Sequence, residues 1–503
     1  MSGPIIQIGD VLTSREASRR EFLTSSASGL GGLALASLLQ SEGAMAMDAG
    51  IAPTPPLATK FSHVAGRARN CIFIFMAGAP SQLDLFNYRP ELNRLNGQKL
   101  PESLLKGVRF AFIEKDTARL LGSPRRFRQY GDCGTWMSDL LPNIGQCADD
   151  ICLINSMHTD QFNHHPGQLM MQCGQAQFGL PSMGAWLSYG LGTENQNLPS
   201  YVVLTAGRGS SGGATLWSSG YLPSVHAGVL LRNQGPPILN LELPPGLSPS
   251  LERKGLDVLQ TINGLQLDRY RDPEIASRIA NYELSFRMQS AAPELTDLSG
   301  ETQATLAAYG VDRKDPSQKS GRVGPGEHYG SFARNCLLAR RMVERGVRFV
   351  NIIFASWDHH SKLDQELTYN AGMVDQPIGA LIQDLKQRGL LDDTVVIWGS
   401  EFGRTPLGEN RHNSANVSGR DHHPNAFSIF AAGGGFRGGY VHGETDDIGW
   451  NPVVAPVHVN DFQATLLSAF GIDHKRLTFR HQGADKRLTN ITRDSEMIDD
   501  LLA

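Results

Sequence analysis

The feature that most constrains the fold is a continuous apolar run, Cys71–Met76, which ends at Ala-Gly-Ala-Pro. A strand without polar alternation must be covered on both faces, which is typical of a central strand in a parallel sheet. Runs of the same kind recur at Ile151–Ile154, Tyr201–Leu204, Phe349–Phe354, Val395–Trp398 and Phe427–Ala431. The sequence therefore predicts an α/β fold: a mostly parallel, doubly wound sheet with helices on both faces.

A helix is predicted between two of these runs. Ile378, Leu381, Ile382 and Leu385 fall at i, i+3, i+4 and i+7, which places one apolar stripe on a helix that should end near Gly389. Residues 349–398 are therefore predicted to form a β-α-β unit with a right-handed crossover. The carboxyl ends of its strands should share one edge of the sheet, where open α/β sheets bind their ligands.

Residues 206–330 interrupt this alternation. They contain a Gly/Ser loop (Gly207–Gly213), a proline-rich stretch (236–249) and a predicted helical segment (Pro249–Gln289). No repeat of fixed period is evident, which argues against solenoids and propellers. We expect this segment to be an insertion that caps the site within a domain spanning residues 67–503.

The amino-terminal segment has the features of an export signal. The run SRREFL at residues 18–23 precedes an apolar, Gly/Ala/Ser-rich stretch and an Ala-Met-Ala cleavage site at residues 44–46. We predict a twin-arginine signal peptide at 1–46 and a linker at 47–66. We therefore expect the twin-arginine export machinery to bind the precursor, and the mature protein to be periplasmic or secreted. The apolar stretch is shorter than the ~20 residues that span a bilayer, so we expect no transmembrane anchor in the mature chain.

Composition excludes several classes of partner. Forty-six Lys+Arg against 50 Asp+Glu give a net charge of −4, without a long block of one sign, so nucleic acid is not an expected partner. The six cysteines form no CxxC pair, so neither a zinc knuckle nor a disulfide framework is predicted.

Acids and histidines stand together after several predicted strands. The clusters are His164-His165, Asp358-His359-His360, Glu401 and Asp421-His422-His423. Zinc, manganese and similar ions bind imidazole and carboxylate groups. We therefore predict one or two divalent metal ions (zinc, manganese or calcium). The predicted ligands are Asp84, Asp358, His360, Glu401 and His422, with His359 and His423 as further candidates.

Arg404 lies three residues after Glu401 and admits two interpretations. Its guanidinium group could bind an anion with two hydrogen bonds, or it could neutralise Glu401. Both interpretations remain open from the sequence.

Several motifs together resemble a known family. They are GAPSQLD (78–84), WDHH (357–360), GSEFGRTP (399–406) and RHQGAD (480–485). The chain resembles domain-of-unknown-function family 1501, an exported branch of the alkaline-phosphatase-like and sulfatase superfamily. The segment Val374–Glu401 is similar to the late helix and strand of sulfatases, which implies an alkaline-phosphatase-like fold.

The resemblance also implies roles for particular residues. His164 occupies the position where sulfatases have their nucleophilic Cys or Ser, so His164 and Arg404 are predicted as catalytic residues, with His164 an alternative metal ligand. Ser156 and Thr159 are weaker candidates for the nucleophile. Sulfatases and phosphatases have an Asp-His pair at the position where this chain has Glu401-Phe402. The replacement keeps a carboxylate but loses an imidazole ligand, so one bound metal is as plausible as two.

Two functions follow from the resemblance. The first is a metal-dependent hydrolase of sulfate or phosphate esters, acting on a sulfated or phosphorylated small molecule or glycan. The second is a non-catalytic exported relative that binds such a glycan or serves as a scaffold. A phosphomutase-like transfer is disfavoured by the export signal, because phosphosugar pools are cytoplasmic.

Overall fold

The apolar runs form strands of one sheet in the computed structural model, which describes residues 55–105, 110–232, 235–238, 241, 243–410 and 417–503. All six predicted runs are strands. In chain order the strands are β1 (Asn70–Ala77), β2 (Phe127–Tyr130), β3 (Thr135–Ser138), β4 (Ile151–His158), β5 (Tyr201–Gly207), β6 (Val229–Leu231), β7 (Phe349–Ala355), β8 (Thr394–Gly399), β9 (Gly403–Gly408), β10 (Arg420–His423), β11 (Phe427–Ala432), β12 (Tyr440–His442), β13 (Glu444–Thr445), β14 (Pro452–Val454), β15 (Val457–His458), β16 (Phe479–His481) and β17 (Ala484–Lys486).

Among the described residues the central sheet has nine strands, in the order β12-β4-β11-β8-β1-β7-β5-β6, with β15 also paired to β4. The pairs on either side of β1 and β5 are parallel, as are those of β12 and β15 with β4. Only β11 runs against its neighbours, β4 and β8. The prediction of a mostly parallel sheet is therefore confirmed.

Helices cover both faces of this sheet. They are Gln82–Leu85, Pro90–Arg94, Glu102–Leu105, Pro142–Gly145, His164–Cys173, Met183–Leu191, Pro249–Tyr270, Pro273–Thr296, Gln303–Tyr309, Tyr329–Glu344, Leu363–Gln387 and Val459–Ala469, with short 3-10 helices at Ala148–Asp150, Gly213–Trp217, Ser224–His226 and Asp499–Leu501. Along β1, Ile74 packs in the same core as the helix Leu363–Gln387, whereas Phe73 packs with the helix His164–Cys173. The apolar run is continuous because alternate side chains enter two different cores.

The helix between β7 and β8 follows its predicted stripe. Ile378, Leu381, Ile382 and Leu385 are fully buried, and the helix ends at Gln387. Gly389 then adopts a φ of +67°, which a glycine accepts without strain and which turns the chain toward β8.

The segment 206–330 adds helices and one strand. The predicted helical run is two helices that break at Arg271, where Asp272 caps the second helix by accepting a hydrogen bond from the Glu274 amide and Pro273 begins it. β6 lies in this segment and extends the central sheet, so the strand pattern is not fully interrupted. The domain boundaries remain predictions.

The predicted signal peptide, 1–46, lies outside the described residues, and the structure describes the linker only from residue 55. In that part the Lys60 amide donates to the Leu191 carbonyl and the Val64 amide to the Gly471 carbonyl, each at 3.0 Å. None of the described helices has the length and apolar character needed to cross a bilayer.

Candidate metal centre

Four chain segments meet at the carboxyl edge of the parallel strands. His164 follows β4, Asp358 follows β7 and Glu401 follows β8, as the sequence predicts. His422 arrives by a different route: it lies in β10 and precedes β11 instead of following a strand. Because β11 is antiparallel, its first residues lie at the edge where the parallel strands end.

Asp358 lies at the centre of these segments. Its Oδ1 atom is 2.7 Å from His360 Nε2, 3.1 Å from His164 Nε2 and 3.4 Å from His422 Nε2. One possible ligand atom from each of these four residues lies within 4.8 Å of the others. We call His164, Asp358, His360 and His422 the histidine–aspartate cluster.

The second ring nitrogen of each histidine faces an oxygen. His164 Nδ1 is 2.7 Å from Glu401 Oε1, and His422 Nδ1 is 2.7 Å from the Phe162 carbonyl. His360 Nδ1 contacts the carboxylate of Glu409. A carboxylate or carbonyl oxygen only accepts, so each Nδ1 carries a proton and each ring is held with its Nε2 atom turned toward the cluster. This is how proteins orient histidines that bind a metal.

Two contacts indicate where a cation would fit in the cluster. The Nε2 atoms of His360 and His422 are only 3.1 Å apart, and both face Asp358. His164 Nε2 is buried without a well-formed hydrogen bond. A cation among these atoms would satisfy all of them at once.

Glu401 supports His164 from behind the cluster. Its fully buried carboxylate accepts hydrogen bonds from the Gly78 amide at 2.9 Å, Ser400 Oγ at 2.7 Å and Gln168 Nε2 at 3.2 Å, besides that from His164. Burial raises the pKa of Glu401, but these donors outweigh it and hold the pKa below its ordinary value. The oxygens predicted to bind a metal are thus already engaged, which makes Glu401 an orienting residue.

Arg404 forms its charge pair with Asp358 and is almost fully buried. Its Nη2 atom lies 2.6 Å from Asp358 Oδ1 and donates also to the Gly78 carbonyl. Its Nε and Nη1 atoms donate to the carbonyls of Ala79 and Arg420, and the side chain is 1% exposed. Because the guanidinium is buried and bonded at every nitrogen, it is not free to clamp a substrate anion. Burial raises the pKa of Asp358, but Arg404 and the histidines hold it far below its usual range.

Asp84 lies outside the cluster, contrary to prediction. Its carboxylate pairs with Arg420 Nε at 2.9 Å and accepts a hydrogen bond from Ser81 Oγ. Both charged side chains are almost fully buried. Burial raises the pKa of Asp84, but Arg420 lowers it more, so this carboxylate serves a structural ion pair.

Only one member of each histidine doublet enters the cluster. His165 contacts the ring of Phe178, and His359 is buried against Asn370. His423 bonds the Trp450 carbonyl because neighbouring residues of β10 point to opposite faces. Ser156 and Thr159, the other nucleophile candidates, are buried outside the cluster, where Ser156 donates to the Ala455 carbonyl.

A cavity of 200 Å³ opens beside the cluster, and its lining includes His164, Gln168, Arg208, Ser211, Arg322 and Asp358. The two arginines come from the segment 206–330, and the motifs did not reveal them. A larger cavity of 520 Å³ surrounds the first residues of β1 and β8, at the opposite edge of the sheet. It contains no member of the cluster, so the smaller cavity is the relevant one.

The family assignment follows from a match over residues 68–502 to the model described as protein of unknown function, DUF1501. The chain belongs to this family, which confirms the resemblance seen in the motifs. A search of curated proteins finds no match.

Several solved structures are similar to the chain at low identity. A sulfatase from Pseudoalteromonas sp. is 13% identical, with a TM-score of 0.33, 81% of this chain covered and 68% of that one. Ps i-CgsB in complex with k-i-k-neocarrahexaose is 11% identical, with a TM-score of 0.36 and coverages of 82% and 74%. A mutant alkaline phosphatase of the Antarctic bacterium TAB5 with Mg bound is 13% identical, with a TM-score of 0.30 and coverages of 73% and 92%.

Proposed function

We propose that this protein is a metal-dependent hydrolase of sulfate or phosphate esters. The observation that carries the proposal is the arrangement of three histidines around Asp358, each with its Nδ1 held by an oxygen and its Nε2 turned inward. A divalent cation at the centre of this arrangement would contact one inward-facing ligand atom from each of the four residues.

The donor set fits one ion of the zinc or manganese type. Three imidazoles and one carboxylate match the preferences of those metals, whereas calcium takes six to eight oxygen ligands. A second group, His360 with Glu409 and Asp421, adjoins the cluster. Asp421 already accepts hydrogen bonds from the Phe112 and His422 amides, so the structure favours a single ion.

When bound, a divalent ion would supply Lewis-acid polarisation of an ester oxygen and would lower the pKa of a coordinated water toward about 7. The chain supplies the setting: Glu401 and Glu409 fix the orientation of their histidines, and Arg404 offsets the charge of Asp358. None of the four residues of the cluster carries a hydroxyl or thiol. Because His164 Nε2 lies in the cluster beside Asp358, we assign His164 as a ligand and water as the nucleophile in the proposed hydrolysis.

We also propose that the chain is exported through the twin-arginine route and acts in the periplasm or outside the cell on a sulfated or phosphorylated small molecule or glycan. The SRREFL run and the cleavage site that follows it support this proposal. Twin-arginine export generally carries folded proteins, which allows the ion to be bound before export.

The test is the metal content of the natively purified protein, followed by assays with aryl sulfate and aryl phosphate esters. We expect one zinc or manganese ion per chain and hydrolysis of at least one ester class. Protein that binds the ion but hydrolyses neither class would favour the non-catalytic binding protein or scaffold. Protein without affinity for either ion would contradict the proposal.

A further inference from the structure

Two arginines from opposite ends of the segment 206–330 meet at the cavity beside the cluster. Arg208 follows β5 directly, and its backbone forms a bridge with Ala355 at the end of β7. Arg322 precedes the helix Tyr329–Glu344. Both line the same cavity as His164 and Asp358.

Neither arginine is held in a close, buried charge pair like that of Arg404. Arg322 Nη1 lies 3.7 Å from Asp358 Oδ2, beyond hydrogen-bond distance, and its side chain is 33% exposed. Arg208 is exposed, and within the described part of the chain no ion pair is recorded for it. Arg404, by comparison, is buried and bonded at every nitrogen. The two cavity arginines are the ones with donors left for a ligand.

The loop that carries Arg208 is tied to the cluster. Gln168 Oε1 accepts hydrogen bonds from Ser211 Oγ at 3.0 Å and from the Gly212 amide at 2.9 Å. The other end of the same side chain, Nε2, donates to Glu401, which holds His164. One buried glutamine therefore fixes the distance between the Arg208 loop and the cluster.

We infer that Arg208 and Arg322 bind the tetrahedral oxyanion of the substrate, which is one of the two roles that the sequence leaves open for Arg404. A guanidinium group matches a sulfate or phosphate group with two parallel hydrogen bonds. This inference rests on the proposed function, because it names the residues that would hold the ester group of that same site.

The size of the cavity indicates which part of the substrate is recognised. At 200 Å³ it is smaller than the ~300–1,000 Å³ of sites that enclose a whole drug-sized ligand. The cavity therefore takes the anionic group and leaves the rest of the molecule outside. The substrate class is an ester group carried on the surface or at the end of a larger molecule.

The first test is binding of inorganic phosphate and, separately, inorganic sulfate to the metal-loaded protein by calorimetry at fixed ionic strength. Arg208→Gln and Arg322→Gln should each raise the Kd by about 10-fold or more, the effect of losing one charge-assisted hydrogen bond. The control is Arg269→Gln, on the exposed helix of the same segment, which should leave the Kd unchanged. The two anions distinguish a phosphate site from a sulfate site.

The outcomes separate this inference from the proposed function. Anion binding that depends on both arginines supports the inference even if no ester is hydrolysed, in which case the hydrolase proposal fails alone. Hydrolysis and anion binding that persist within about 2-fold in the double variant would overturn the inference and leave the hydrolase proposal standing. Metal content should be unchanged in every variant, because neither arginine belongs to the cluster.

A second test addresses the size of the recognised group. Esters whose small and bulky leaving groups have matched pKa values should be hydrolysed with kcat/KM values within about one order of magnitude, because the leaving group remains outside the cavity. Rejection of all bulky esters would contradict the substrate class that we infer.

Discussion

Asp358 is the residue on which the charges of the site depend. One carboxylate oxygen contacts three imidazoles and one guanidinium, so its removal leaves Arg404 buried without a counter-charge. The same contact makes Arg404 a structural partner of Asp358 and not a substrate clamp.

Alanine at Asp358, His360 or His422 should lower metal occupancy at least ~10-fold, because each change removes one converging donor. The measurement is the metal content of each purified variant after dialysis against a weak chelator. His165→Ala is the matched control, since His165 neighbours His164 on the same helix and lies outside the cluster. Full occupancy in all three variants would place the metal elsewhere.

Arg404→Lys should destabilise the fold although the charge is retained. A lysine ammonium group cannot replace the planar guanidinium group, which donates to Asp358 and to three backbone carbonyls. The unfolding free energy should therefore fall by about 2–4 kcal/mol. Urea unfolding measures this cost. A stable variant with only a raised KM would instead return Arg404 to the substrate-binding role.

His458 should make the stability depend on pH. Its Nδ1 accepts a hydrogen bond from the Asn460 amide at the start of the helix Val459–Ala469, which requires the neutral ring. Burial, with Arg493 nearby, lowers the pKa of His458 to about 4. The unfolded chain therefore binds a proton between pH 6.5 and 4 that the folded chain does not, so the contribution is complete above pH 6.5 and is lost as the pH falls toward 4.

His458→Asn is the test, because asparagine also caps a helix but does not titrate. Between pH 7 and 4 the variant should lose about 1–3 kcal/mol less unfolding free energy than the parent chain. Parallel curves for the two proteins would show that His458 titrates normally.

At the level of single residues the sequence predicted which acids and histidines lie together, but not which residues surround them. Asp358, His360, His422 and His164 come together as expected from acids and histidines near strand ends. Glu401 and Asp84 do not face the cluster as predicted, because other side chains bind their carboxylates. Glu401 accepts hydrogen bonds from Ser400 and Gln168, and Asp84 pairs with Arg420. No motif in the sequence reveals these contacts. Arg208 and Arg322 were missed for the same reason.

At the level of elements, the position of His422 depends on the direction of one strand. Apolar runs predict which segments are strands, because burial on both faces leaves a pattern in the sequence. They carry no information on whether a strand runs with or against its neighbours, so the antiparallel course of β11 was not predicted. The β9-β10 hairpin, which pairs His422 with Arg404, depends on the same reversal.

Gly78, in the turn after β1, lets the backbone of this turn pass close to the loop that carries Asp358. This residue has a φ of +114°, and a Cβ atom there would lie 2.7 Å from the Asp358 amide nitrogen. Gly78→Ala should therefore displace the β7 loop, lower metal occupancy and cost about 2–4 kcal/mol in unfolding free energy.

The matched control for Gly78 is Gly97→Ala. Gly97 also has a positive φ, +79°, but a Cβ atom there meets nothing within 4 Å. Only the left-handed backbone penalty of about 1 kcal/mol should remain, with unchanged metal content. Equal effects of the two substitutions would mean that backbone strain, and not the approach to Asp358, explains the loss at Gly78.

At the level of the whole molecule, we predict export of the folded chain. Replacing both Arg19 and Arg20 by Lys should leave the precursor in the cytoplasm, because the paired arginines are the part of the signal that the export machinery reads. Cell fractionation with an antibody against the mature domain measures the distribution. Unchanged export of the double variant would mean that another signal directs the chain.

The cluster joins parts of the chain that are distant in sequence. His164 and Glu401 are 237 positions apart, and Phe162 and His422 are 260 positions apart. Closing such long loops is an entropic cost that must be met before any of these contacts forms. The four residues of the cluster therefore converge only when β8 and β11 have joined the sheet, and a nascent or truncated chain lacks the proposed ion site. If the proposed ion binds, its retention would report that folding is complete.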